Sequence, residues 1–141
     1  MTYLIAYRKV IDSVTTHALH LPDAQQGEQS GQELATLPDG RTVVALFDGY
    51  TLPSNQPEPI AASIEVLPNP APADLSDAIK LASPHVRLIN SRVQDAIAQR
   101  YSIADEIKLL RTAPSPAMEA YNAYAEDCRA WGRAEKAKLG L

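Results

Sequence analysis

The first half of the chain carries short apolar segments separated by turn residues, a pattern typical of β-strands. Residues 2–11 are rich in β-branched and aromatic side chains and predict a strand. Residues 32–50 predict a β-hairpin, because the Pro-Asp-Gly segment at 38–40 supplies turn chemistry between two apolar segments. Residues 60–67 predict a further strand. Three or four such strands indicate a small antiparallel sheet.

A proline-rich segment, residues 68–74, separates this part of the chain from the rest. Proline cannot continue a helix or a central strand, so the segment predicts a stiff, extended linker. The chain is therefore expected to consist of a small β-rich module, 1–67, the linker, and a helical module, 75–141. The predicted fold class is α+β.

Beyond the linker, apolar residues recur at spacings of three and four, as they do on one face of a helix. The pattern predicts helices over 84–100, 103–112 and 116–138, folded into a hairpin of two or three helices. A serine precedes each predicted helix, where its hydroxyl can accept a backbone hydrogen bond. The predicted helix caps are Ser83, Ser102 and Ser115.

The last predicted helix carries aromatic and basic residues of the types enriched at protein–protein hot spots. One predicted stripe of this helix comprises Met118, Tyr121, Ala125, Cys128 and Trp131, with Tyr124 at its margin. Two interpretations stay open: the aromatics pack against the helix over 84–100, or they form a partner surface. The candidate partner-binding residues are Tyr121, Tyr124, Arg129, Trp131 and Arg133.

Composition and charge narrow the classes of partner. The apolar fraction is 45%, but much of it is alanine, with one Trp and one Phe, so we expect thin cores that rely on a partner or on further copies of the chain. The net charge is −4, with 4 basic and 10 acidic residues in 1–83 and 9 basic and 7 acidic residues in 84–141. Nucleic-acid binding by phosphate neutralisation usually needs a stronger basic patch, so no nucleic-acid partner is expected.

The sequence also predicts the compartment. No apolar run approaches the roughly 20 residues of a membrane-spanning helix, and no charged segment precedes the apolar N-terminal residues as in a signal peptide. With Cys128 as the only cysteine, no intramolecular disulfide can form. We expect a chain without membrane attachment that is made in a cytoplasm.

The residue types that carry catalysis do not occur in a catalytic arrangement. His17 and His20 lack the further ligands that a zinc site needs, and Cys128 lies in the middle of an apolar stripe. The adjacent carboxylates Glu126 and Asp127 would point about 100° apart on a helix and would not form an acid–base pair. We expect a non-enzymatic protein without metal or cofactor.

The segments INSRVQDAIAQRYS and AYNAYAEDCRAWGRAEKAKLGL resemble the C-terminal part of small proteins encoded beside the tail-fibre genes of tailed bacteriophages and prophages. The resemblance covers residues 84–141, and the plan of a short β N-terminus, a proline-rich joint and helices is similar. It carries over no catalytic or ligand-binding residues.

This resemblance implies a role in phage tail morphogenesis, with two hypotheses. The first is a structural protein of the tail tip, baseplate or fibre that stays in the virion. The second is a tail-fibre assembly chaperone that acts in the host cytoplasm and leaves before maturation. The expected partners are other tail or fibre proteins, and a homo-oligomer stays open. A third hypothesis, a small enzyme or a DNA-binding regulator, is disfavoured by the missing catalytic arrangement and the acidic balance.

Overall fold

The computed structural model describes all 141 residues. The strands are β1 (Tyr3–Tyr7), β2 (Val10–Ile11), β3 (Thr16–His17), β4 (Gly31–Thr36), β5 (Thr42–Leu46) and β6 (Glu65–Val66). The helices are α1 (Glu58–Ala61), α2 (Ala73–Ala82), α3 (Pro84–Arg100), α4 (Ile103–Thr112) and α5 (Pro116–Lys138). None of these helices has both the length and the apolar character needed to cross a bilayer. The antiparallel sheet and the helices confirm the predicted α+β class.

The chain divides into two compact units. The sheet unit comprises Met1–His85 together with Lys138–Leu141, and the helical unit comprises Val86–Ala137. The division falls in the first turn of α3, whereas the sequence placed it in the proline-rich segment 68–74.

The sheet unit is built on four antiparallel strands in the order β4-β5-β1-β6. The predicted hairpin is present as β4 and β5, and Gly40 takes a φ of +90° in its turn, a conformation that glycine adopts without strain. All five residues of β5 are buried, since apolar side chains cover both of its faces.

Two predicted strands are shorter in the structure than in the sequence analysis. The strand expected over 2–11 ends at Tyr7, and Val10–Ile11 instead pairs with Thr16–His17 in a separate two-stranded ribbon. The strand expected over 60–67 is reduced to Glu65–Val66. Ile60 lies in α1, where a proline in the first turn is compatible with a helix start.

Helix α2 belongs to the sheet unit, because its apolar face closes one side of the sheet. Ile79 has no exposed surface and packs in the core with Leu4 and Leu34, and Leu75 and Ala78 pack beside it. The predicted helical module, which began at residue 75, therefore includes a helix that structurally completes the β-rich module.

The last residues of the chain also pack on this core. Leu139 and Leu141 pack against the buried cluster that contains Leu4. Gly140 follows the end of α5 with a φ of +82°, as expected of a helix terminator, and an added Cβ would lie 3.2 Å from Leu4 Cδ2. The chain thus returns to its first strand.

The position of α2 predicts contrasting effects of two substitutions in the same helix. Ile79→Ala should lower the free energy of unfolding by about 2–5 kcal/mol, because it leaves a cavity in the core. Leu81→Ala is the matched control: Leu81 is 83% exposed, so its change should stay within about 0.5 kcal/mol. Urea unfolding followed by circular dichroism measures both, and equal effects would contradict the placement of α2.

Candidate functional site

The helical unit contains α4 and most of α3 and α5, and serines precede two of these helices. Ser102 caps α4: its hydroxyl accepts from the Asp105 amide at 3.1 Å, and the Asp105 carboxylate accepts from the Ser102 amide at 3.0 Å. The Ser102 amide holds the pKa of Asp105 below its ordinary value. At α5 the Ser115 hydroxyl accepts from the Met118 amide at 3.1 Å.

Ser83 differs from these two caps. It is fully buried and ends α2, where its amide donates to the Ile79 carbonyl at 2.9 Å. Pro84 follows as the first residue of α3. The predicted role of the Ser83 hydroxyl at the start of α3 stays a prediction.

Helices α3 and α5 run antiparallel and approach each other closely at Gly132. An added Cβ on Gly132 would lie 2.7 Å from Val93 Cγ2, so the glycine permits this approach. Further along, the Tyr124 hydroxyl donates to the Ala96 carbonyl at 2.8 Å. Val93 of α3 lies beside Gly132 of α5, and Ala96, further along α3, lies beside Tyr124, which comes earlier in α5. The two helices therefore run antiparallel.

Tyr121 and Tyr124 belong to an aromatic cluster inside the helical unit. The rings of Tyr101 and Tyr121 form a T-shaped pair with their centroids 4.9 Å apart. The centroids of Tyr101 and Tyr124 are 5.9 Å apart. The Arg100 guanidinium lies 4.6 Å from the centroid of the Tyr124 ring, within cation–π range. Of the two interpretations left open by the sequence, packing against α3 describes Tyr124. Tyr121 instead contacts Tyr101, the residue after α3, and Glu106 of α4.

The environment of both phenols raises their pKa. For Tyr121, partial burial is the main cause, and the neighbouring Glu106 carboxylate raises the pKa further. For Tyr124, partial burial again comes first, followed by the neighbouring Cys128. Both phenols are therefore protonated at neutral pH and act as hydrogen-bond donors rather than as bases.

Trp131 does not lie on the inward stripe that the sequence predicted for it. The inward stripe of α5, which has Tyr124 at its margin, comprises Tyr121, Ala125, Cys128 and Gly132. Their spacing of four, three and four follows the 3.6-residue repeat, so Trp131 is rotated by about 100° from Gly132. Its side chain is 42% exposed.

Arg129 and Arg133 line a groove between α3 and α5 with a volume of about 450 Å³. We call it the basic groove. Its lining comprises Asn90, Val93, Gln94, Ile97, Arg129, Gly132, Arg133 and Lys136. Arg133 also forms an ion pair with Glu126. The five predicted partner-binding residues thus occupy three places: the aromatic cluster, the basic groove and the exposed position of Trp131.

Helix α4 presents an uncovered apolar face, which we call the α4 stripe. Its residues Ile103, Ile107 and Leu110 are 78%, 45% and 66% exposed, and no residue of α4 is buried. The periodicity of the sequence identifies these three residues as one face. It does not indicate that the face stays in contact with water.

The histidines and the cysteine occupy ordinary environments. His17 Nε2 lies 3.1 Å from a carboxylate oxygen of Asp12, and the His20 amide donates to the Gln56 side chain at 2.8 Å. Cys128 is a half-buried free thiol beside Tyr124. No three His, Cys, Asp or Glu side chains are grouped closely enough to hold a metal ion.

Comparison with known proteins returns no family model, no curated protein and no solved structure that matches this chain. The surfaces that this chain offers to a partner are the α4 stripe, the basic groove and the exposed Trp131.

The contact between Gly132 and Val93 predicts a coupling between two substitutions. In the unaltered chain Gly132→Ala should be neutral or destabilising, because overpacking costs about 1–3 kcal/mol while the gain in helix propensity is about 1 kcal/mol. In a Val93→Ala background the clash is gone, so Gly132→Ala should stabilise by about 1 kcal/mol. A double-mutant cycle from chemical unfolding measures the difference, and additive effects would contradict the close approach.

The exposure of Trp131 predicts a modest loss on truncation. A fully buried tryptophan replaced by alanine costs about 3–5 kcal/mol. Because Trp131 is 42% exposed, we expect Trp131→Ala to cost about 1–2 kcal/mol of the free energy of unfolding. A loss of about 3 kcal/mol or more in chemical unfolding, as for a fully buried tryptophan, would contradict this placement.

Proposed function

We propose that this chain is a non-enzymatic structural protein of a bacteriophage tail, located in the tip, baseplate or fibre, and that it acts through protein–protein contacts. The resemblance over 84–141 supplies the context. The observation that supports contact-based function is the α4 stripe, which remains exposed in the single chain.

The energy available from this stripe is moderate. Burying one exposed Leu or Ile side chain contributes about 1.5–3 kcal/mol. Three side chains that are each half to three-quarters exposed would therefore contribute on the order of 3–5 kcal/mol. Association costs at least about 4 kcal/mol in lost rigid-body freedom, so the stripe needs further contacts to hold a complex. A position among several neighbours in a tail assembly provides such contacts.

The charge of the helical unit supports a protein partner over a nucleic acid. The unit carries 8 basic and 7 acidic residues, which gives little net attraction for phosphates. Exposed apolar side chains and a tryptophan are instead features of protein interfaces.

Mass spectrometry of purified phage particles tests the proposal. The expected result is that peptides of this chain are present in amounts comparable to those of other tail proteins. Absence from the particles, together with a higher yield of soluble fibre protein on co-expression, would identify the assembly chaperone instead. Absence from the particles without an effect on the fibre would refute both hypotheses.

A pair of charge-matched variants tests the role of the α4 stripe. Ile107→Lys places a charge on the stripe and should reduce incorporation into particles at least tenfold, the equivalent of about 1.4 kcal/mol. Ala104→Lys places the same charge on an exposed part of α4 beside the stripe and should leave incorporation nearly unchanged. Equal incorporation of the two variants, with unfolding midpoints equal to that of the unaltered protein, would exclude the stripe as a contact surface.

A further inference from the structure

We infer that the basic groove between α3 and α5 binds an extended, acidic segment of a partner protein, with carboxylates at alternate positions. The inference rests on the proposed function in one respect, that the partner is a protein. It concerns a different surface from the α4 stripe.

The two walls of the groove differ in chemistry. Arg129, Arg133 and Lys136 lie along the α5 wall, and the side-chain amides of Asn90 and Gln94 lie along the α3 wall. No acidic side chain lines the groove. Cations on one side can pair with carboxylates, while amides can both donate to and accept from a peptide backbone.

The spacing of the cations fits an extended chain. Arg129 and Arg133 are separated by a rise of about 6 Å along α5, and Lys136 lies about 4.5 Å further. In an extended peptide, alternate side chains point the same way and are about 6.6 Å apart. Carboxylates at positions i and i+2 of a bound segment therefore match Arg129 and Arg133, and a carboxylate at position i+4 reaches Lys136.

The size of the groove suits an extended segment better than a helix. The three cations cover about 10 Å, and a helix of this length with its side chains occupies on the order of 1,000 Å³, so most of it would lie outside the groove. The groove offers about 450 Å³, enough for a few residues of extended chain. Its apolar floor, formed by Val93, Ile97 and Gly132, suits the small apolar side chains that would alternate with the carboxylates.

A favourable interaction with the C-terminal end of the helix dipole explains only one of the three cations in the groove. Lys136 lies in the last turn of α5, where a cation interacts favourably with the helix dipole. Arg129 lies more than two turns from that end and beyond the reach of this effect. Arg133 is paired with Glu126, so a ligand carboxylate would have to share or replace that contact. The structure shows no salt bridge to Arg129 or Lys136, so these two cations are available to an acidic ligand.

The probe is the peptide Gly-Glu-Val-Glu-Val-Glu-Gly-amide with fluorescein on its N-terminal amine, titrated with the full chain and followed by anisotropy. We expect saturable binding that weakens as salt rises, because screening shortens the range of the ion pairs. A matched peptide with Gln at each Glu position should not bind. Equal binding of the two peptides, or no saturable binding, would overturn the inference.

Charge reversal at two positions localises the binding. Arg129→Glu should weaken binding of the acidic peptide at least tenfold. Arg92→Glu is the matched control, because Arg92 is exposed on the side of α3 away from the groove and should change affinity less than about twofold. Equal losses in both variants would overturn the inference. If Arg129→Glu unfolds the chain, Arg129→Gln combined with Lys136→Gln tests the same point.

Two controls separate other ligands. If a single-stranded oligonucleotide of equal charge binds more tightly than the acidic peptide, the ligand of the groove is a nucleic acid and the inference is overturned. Self-association of the chain that Arg129→Glu abolishes would show that a second copy supplies the acidic segment, and would overturn the assignment to another protein. Peptide binding by a chain absent from phage particles would refute the proposed function alone.

Discussion

The helical unit depends on one close contact, the packing of Val93 against the backbone of Gly132. Because an added methyl group at position 132 would lie 2.7 Å from Val93 Cγ2, glycine at that position lets the two helices approach this closely without a shift of Val93. Together with the hydrogen bond from the Tyr124 hydroxyl to the Ala96 carbonyl, this contact defines the antiparallel register of α3 and α5. In that register Tyr101 lies within ring-contact distance of both tyrosines of α5, and the residues of the basic groove line the two helices around Gly132.

The same contact fixes the rotation of α5 about its axis. With Gly132 turned inward, a rotation of 100° per residue carries Trp131 to one flank of the helix and Arg133 to the other. Arg129 falls on the flank of Arg133, beside the amides of α3, and so contributes to the groove. The five candidate partner-binding residues lie within 13 positions of the sequence, but the fold distributes them among surfaces with different chemistry. The inward tyrosines stabilise the unit, whereas the outward residues remain available for contacts.

The sequence predicted those features that local signals determine. The hairpin over 32–50 follows from its turn residues, and the capping box of α4 follows from a serine and an aspartate three residues apart. Features that depend on distant residues were not predicted. Ile79 gives no local sign that it completes a sheet core, and helical periodicity alone does not reveal that Gly132 rather than Trp131 faces α3. The sequence pattern of α4 correctly predicted a helix with one apolar face. Whether another part of the chain covers that face depends on the whole fold and cannot be derived from the pattern.

Helix α4 carries one of the two proposed binding surfaces, the α4 stripe, and its stability depends on its surroundings. A helix of ten residues with no buried side chain is marginal by itself, so its caps and neighbours must hold it. The capping box orders its start, and Glu106 near its middle interacts with the Tyr121 hydroxyl. A partner that covered the stripe would bury apolar area and at the same time order the helix. Apolar burial gives such a contact its affinity, while charges in the basic groove would set orientation and partner choice. One small helical unit can therefore combine a contact that holds a neighbour with one that selects it.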